Sequence, residues 1–69
     1  MTRKEALDVF KKQSPIIFNN GLYNVECLKI KYILYGVENG KTIMLLELID
    51  KTGRSSLRAK LSDCRLKEQ

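Results

Sequence analysis

No histidine occurs anywhere in this chain. Its absence removes the usual general base near neutral pH, every Ser-His or Cys-His pairing, and the commonest metal-binding side chain. Cysteine is scarce. Cys27 and Cys64 lie far apart, too few for the disulfide framework of a small secreted domain and, without histidine, too few for a zinc site. They read as reduced thiols that pack as small apolar side chains. No apolar run approaches the roughly 18 residues that cross a membrane. The opening "MTRKEALDVF" lacks the apolar core and cleavage site of a signal peptide. A cytoplasmic location without a membrane partner is the expectation.

Glycine is used sparingly too. Its four positions stand at turns or beside one, so there is no Gly-rich phosphate loop and no Walker-type lysine. Ser55 or Ser56 with Lys60 can be drawn as a Ser-Lys pair, but that chemistry needs a buried lysine and Lys60 alternates towards solvent. The acids are scattered: Glu5 and Asp8 belong to a helix terminus, Glu38 and Asp50 to turns. An adjacent Arg65 is the sole argument for a reactive Cys64 thiol. The expectation is a non-enzymatic protein with no catalytic residue, no metal and no cofactor.

What is present describes one small domain spanning residues 1–69. At 43% hydrophobic and 30% charged residues the chain is too apolar for disorder. Its 69 residues exclude a second domain or an enclosed active-site cavity. "TRKEALDVFKK" carries a capping box, Thr2 with Glu5, before an apolar face of Ala6, Leu7, Val9 and Phe10. A helix over about 2–12 follows, ended before Pro15. Thereafter the period changes to two. "PIIF" is a short strand and Asn20-Gly21 suits a type I′ turn. "LYNVECLKIKYILYG" is a long strand whose alternation slips near Cys27 and Leu28, which calls for a bulge. Before the slip Tyr23, Val25 and Cys27 share a parity; after it Leu28, Ile30, Tyr32 and Leu34 do. Asn39-Gly40 predicts a second hairpin, into "KTIMLLELID". Gly53 suits a longer turn into "SSLRAKL", then "SDC" reads as a helical turn and "RLK" as a last strand.

The expected fold is mainly β (α+β): an N-terminal helix, then about five sequentially paired antiparallel strands over about 15–67, curled into a small SH3-like barrel. "IMLLELI" is apolar on both parities, so its strand is covered on both faces. The barrel interior and the helix would take one side each, or a second subunit would take the outer one. Ile43, Met44, Leu45, Leu46, Leu48 and Ile49 are therefore candidate interface residues, and a homo-oligomer is expected.

The charge is lopsided. Between Lys51 and Lys67 stand six bases against one acid, while the rest of the chain balances. Arg54, Arg58, Lys60 and Arg65 would line one edge, with Tyr32 and Tyr35 near enough to stack on a base. That is a pattern for nucleic acid or a nucleotide. The plain alternatives are a solvated edge strand guarded by cations and a surface for an acidic protein.

Three stretches together, "TRKEAL", "SPIIFNNGLYNVECLKIKYILY" and "LLELIDKTGRSS", resemble small uncharacterised proteins encoded in phages and prophages of low-GC Gram-positive bacteria. The likeness runs from Thr2 to about Ser56, and the close "AKLSDCRLKEQ" departs from it by being less acidic. The resemblance implies a phage accessory protein acting in the host cytoplasm. Such a protein would bind nucleic acid or a nucleotide, or inhibit a host defence protein by direct docking through an apolar patch.

Overall fold

The computed structural model describes residues 1–19 and 21–67. A single helix, α1 (Arg3–Lys12), precedes β1 (Ile16–Asn19), β2 (Asn24–Glu38), β3 (Lys41–Asp50) and β4 (Ser56–Lys60). A 3-10 turn (Leu61–Asp63) then leads into β5 (Cys64–Leu66). None of the described helices is long and apolar enough to cross a membrane.

The capping box forms as expected. The Thr2 Oγ1 accepts from the Glu5 amide at 3.1 Å, and Glu5 Oε1 accepts from the Thr2 amide at 2.9 Å. That second bond holds the Glu5 carboxyl below its ordinary value. Gln13 ends the helix in the left-handed conformation, φ 54°. Thr2→Ala should lower stability by about 1 kcal/mol, and Thr2→Ser should restore most of it. Urea denaturation followed by circular dichroism reads both.

All five strands make one antiparallel sheet in the order β4-β3-β2-β1-β5. The first four pair in sequence, but β5 pairs with β1 rather than β4. This corrects the expectation of purely sequential pairing. A flat five-stranded sheet would hold β4 and β5 about 19 Å apart, yet the 3-10 turn between them has only three residues. The sheet must therefore curl strongly, and the short turn carries the chain from one edge round to the other.

Curling is built into β2. Its register against β3 shifts twice, between Cys27 and Lys29 and between Ile30 and Tyr32, leaving Leu28 and Lys31 as extra residues. The first bulge is the one the sequence predicts. The second was not, and it reverses the phase: Ile33, not Tyr32 or Leu34, faces the core alongside Ile30 and Cys27. Asn39 and Gly40 both have positive φ, 52° and 75°, as a two-residue type I′ hairpin requires. The first hairpin differs from expectation. Asn19 pairs with Asn24, so four residues connect β1 to β2, and Leu22 and Tyr23 belong to that connection. Asn20 of the predicted turn lies outside the described residues.

One core fills the concave side. Ile16, Cys27, Ile30, Met44, Leu46, Leu48, Ala59 and Cys64 meet Ala6 and Val9 of α1 there. The helix thus closes the same side as the strand interior and does not cover the other face of β3, contrary to the sequence expectation. Arg3 fastens the start of α1 to β3 by donating from Nη2 to the Thr42 carbonyl at 3.0 Å.

Both thiols belong to this core. Cys27 pairs with Ile16, and Cys64 pairs with Phe18, so β1 separates their strands. Two strand spacings, about 10 Å, exceed disulfide reach, and both cysteines are free. Burial pushes the Cys27 thiol up and the Cys64 thiol to about 11. At pH 8 roughly one Cys64 in a thousand is thiolate. Ellman's reagent should leave both thiols unmodified over minutes in the native protein and modify both in guanidinium. Rapid native reaction would contradict this burial.

Candidate binding faces

Side chains directly opposite one another in paired strands share a face, so the register assigns the convex side of the sheet. Across β4, β3 and β2 the rows read Ser56–Ile49–Lys29, Arg58–Glu47–Tyr32 and Lys60–Leu45–Leu34, followed by Ile43 beside Gly36. Ile43, Leu45, Ile49 and Leu34 are half-buried. Gly36 contributes no side chain, and Ile43 and Leu45 lean over its Cα, each 3.8 Å from where a Cβ would stand.

Of the six candidate interface residues, then, the structure separates two sets. Met44, Leu46 and Leu48 are buried and unavailable to a partner, which corrects their assignment. Ile43, Leu45 and Ile49 face outward. The two tyrosines also part. Tyr32 is outward, 53% exposed, with the Lys31 ammonium 5.3 Å from its ring centroid. Tyr35 lies opposite Met44, on the concave side beyond the end of the core, and is 63% exposed. They cannot form one stacking platform.

The basic candidates are likewise divided. Arg58 and Lys60 stand on β4, at one edge of the sheet, and Arg65 on β5, at the other. Arg54 sits in the turn between β3 and β4. That turn is organised by Asp50, whose Oδ1 accepts from the Thr52 hydroxyl at 2.7 Å and from the Thr52 and Ser55 amides. The Thr52 hydroxyl is the main cause of a lowered Asp50 pKa. The expected single basic edge is therefore not formed.

Carboxylates from elsewhere in the sequence answer two of these four charges, and those of Lys51 and Lys67 besides. Arg58 Nη2 is 3.8 Å from Glu47 Oε1, and Lys60 Nζ is 3.3 Å from Glu38 Oε2. Glu26 takes both Lys51, at 3.5 Å, and Lys67. The Lys67 hydrogen bond is the first cause of the lowered Glu26 pKa. Arg54 and Arg65 have no carboxylate partner among the described residues. Exposed pairs of this kind contribute little to stability, so these contacts shape the local field more than they hold the fold.

On the convex face of β2, β3 and β4 the balance stays positive. Lys29, Lys31, Lys41, Arg58 and Lys60 surround the apolar centre, against Glu38 and Glu47. Where the face meets the helix, a cleft of about 260 Å³ opens between Arg3, Glu38, Ile43, Lys60 and Ser62. Among the described residues no group of three or more Cys, Asp or Glu side chains converges as metal ligands would. No family model matches the chain, and neither curated proteins nor solved structures yield a match.

Proposed function

We propose that this chain is a non-enzymatic binding module that docks a protein partner on the convex face of β2, β3 and β4. The observation that carries it is the division of β3: its even-numbered apolar side chains fill the core while Ile43, Leu45 and Ile49 stand on an open face. An apolar centre with a charged rim and an exposed tyrosine is the make-up of a protein interface. The surplus of cations on that rim selects an acidic partner surface. The same surplus opposes a second copy of a chain whose net charge is +5. The cleft beside Arg3 and Lys60 is suited to an aliphatic side chain flanked by an acid.

Nucleic acid fits this face less well. Glu47 stands in its middle row between Arg58 and Tyr32, where it repels phosphate, and aliphatic side chains give bases little to stack on. The missing histidine and two protonated, buried thiols support a non-enzymatic role. The sheet order and the short 3-10 link support a small SH3-like barrel whose β4 and β5 edges are joined by the 3-10 turn and not by strand pairing. With the phage resemblance, the partner is a host protein, a defence component among the candidates.

The test is affinity capture from nuclease-treated lysate of a low-GC Gram-positive host, using wild type and a Leu45→Thr/Ile49→Thr variant. A stoichiometric partner that survives moderate salt and is lost with the variant is expected. Equal recovery by the folded variant rejects the face.

A further inference from the structure

A second cluster lies on the same convex side but over β1 and β5, and the docking reading leaves it unused. Glu26, Ile17 and Arg65 form one cross-strand row over β2, β1 and β5. Lys51, just past the end of β3, and Lys67, just past the end of β5, both reach the Glu26 carboxylate. Sequence neighbours do not explain this gathering. Strands β2, β3 and β5 deliver the charges from positions up to 41 residues apart.

The charges do not cancel. Two cations meet one carboxylate, and Arg65, across β1 in the same row, has no acidic partner among the described residues. The lysine side chains are 75% and 42% exposed, Glu26 only 31%. Glu26 thus acts as a hub that draws two ammonium groups together while leaving a positive surplus facing solvent. Half-buried Ile17 between Glu26 and Arg65 gives the row an apolar floor. One phosphate group can accept from the two ammonium groups, and a second group of the same ligand can accept from the flat guanidinium fork of Arg65, two strand spacings or about 10 Å away.

We propose that Lys51, Arg65 and Lys67 form a phosphate-binding patch around Glu26, separate from the protein-docking face. The ligand chemistry is the phosphate group, carried either on a nucleic-acid strand or on a small polyphosphate or nucleotide.

Fluorescence anisotropy with a labelled dT20 oligonucleotide tests it, with unlabelled tripolyphosphate, ATP and polyglutamate as competitors. Wild type should bind dT20 with a log–log salt slope of about −2, as three cations on a single strand give. The Lys51→Gln/Arg65→Gln/Lys67→Gln variant should bind at least tenfold more weakly with a slope near zero. Lys51→Arg/Lys67→Arg should keep the binding, which separates lost charge from lost structure. Competition by tripolyphosphate or ATP at micromolar levels assigns the site to a small phosphate ligand, and competition by oligonucleotide alone assigns it to the strand. Three results overturn the proposal: no binding by wild type, equal binding by the triple variant, or polyglutamate competing as well as either phosphate compound. Arg58→Gln/Lys60→Gln and Leu45→Thr/Ile49→Thr should both retain dT20, so the two surfaces stand or fall separately.

Discussion

Leu46→Ala should cost about 2–5 kcal/mol, enough to unfold much of the population at 25 °C. Leu46 is fully buried at the middle of the core, facing Ile33 on one side and Ala59 on the other. Truncating it removes the transfer free energy of its side chain and leaves a void that a sheet pinned on both sides cannot collapse to fill. A domain of this size draws only about 3–5 kcal/mol from a single core. Leu45→Ala, one residue away, should cost only about 1 kcal/mol, because that side chain is only partly buried on the convex face. Urea midpoints of the two variants at unchanged slope make the comparison. Equal losses, or a larger loss at Leu45, would reverse the assignment of faces.

The second large effect falls on binding rather than stability. Leu45→Thr/Ile49→Thr places β-branched side chains suited to a strand at both positions and removes apolar contact from the centre of the docking face. Central interface residues are commonly worth 2 kcal/mol or more each when truncated. Partner affinity should therefore fall at least thirtyfold, while the fold loses only about 1 kcal/mol per position, as at Leu45→Ala. Arg58→Gln/Lys60→Gln, at the rim, should mostly slow association and flatten its salt dependence. A double apolar variant with wild-type affinity, or a rim variant that abolishes binding at every salt concentration, would place the interface elsewhere.

The elements were mostly legible because their signals are local. Thr2 and Glu5 cap a helix wherever it docks, Asn39-Gly40 dictates its own turn, and Leu57 and Ala59 alternate cleanly with Arg58. The faces were harder. Tyr32 and Leu34 continue the parity of Ile30 in sequence, and only the bulge at Lys31 turns them outward. That bulge leaves no mark in the pattern, since Lys29 and Lys31 alternate with Leu28, Ile30 and Tyr32 straight through it.

The charge reading failed for a related reason. Counting Lys51 to Lys67 alone finds one acid, but Glu26, Glu38 and Glu47 arrive from β2 and β3 once the strands pair. Glu47 opposite Arg58 follows from the β3–β4 register, which the turn around Gly53 leaves open by a residue or two. Arg65 is set apart from Arg58 and Lys60 by a long-range choice, β5 pairing with β1, that no local pattern encodes. The cluster around Glu26 depends on the same choice and was invisible for the same reason.

The open convex face can be measured directly by methyl-resolved NMR of the isolated protein with a soluble paramagnetic gadolinium chelate. Strong relaxation at the methyls of Ile43, Leu45, Ile49 and Leu34, with Met44, Leu46 and Leu48 protected, is the predicted result. Comparable protection of both sets would mean that the face is already covered, by the chain itself or by a second copy, and would contradict the account.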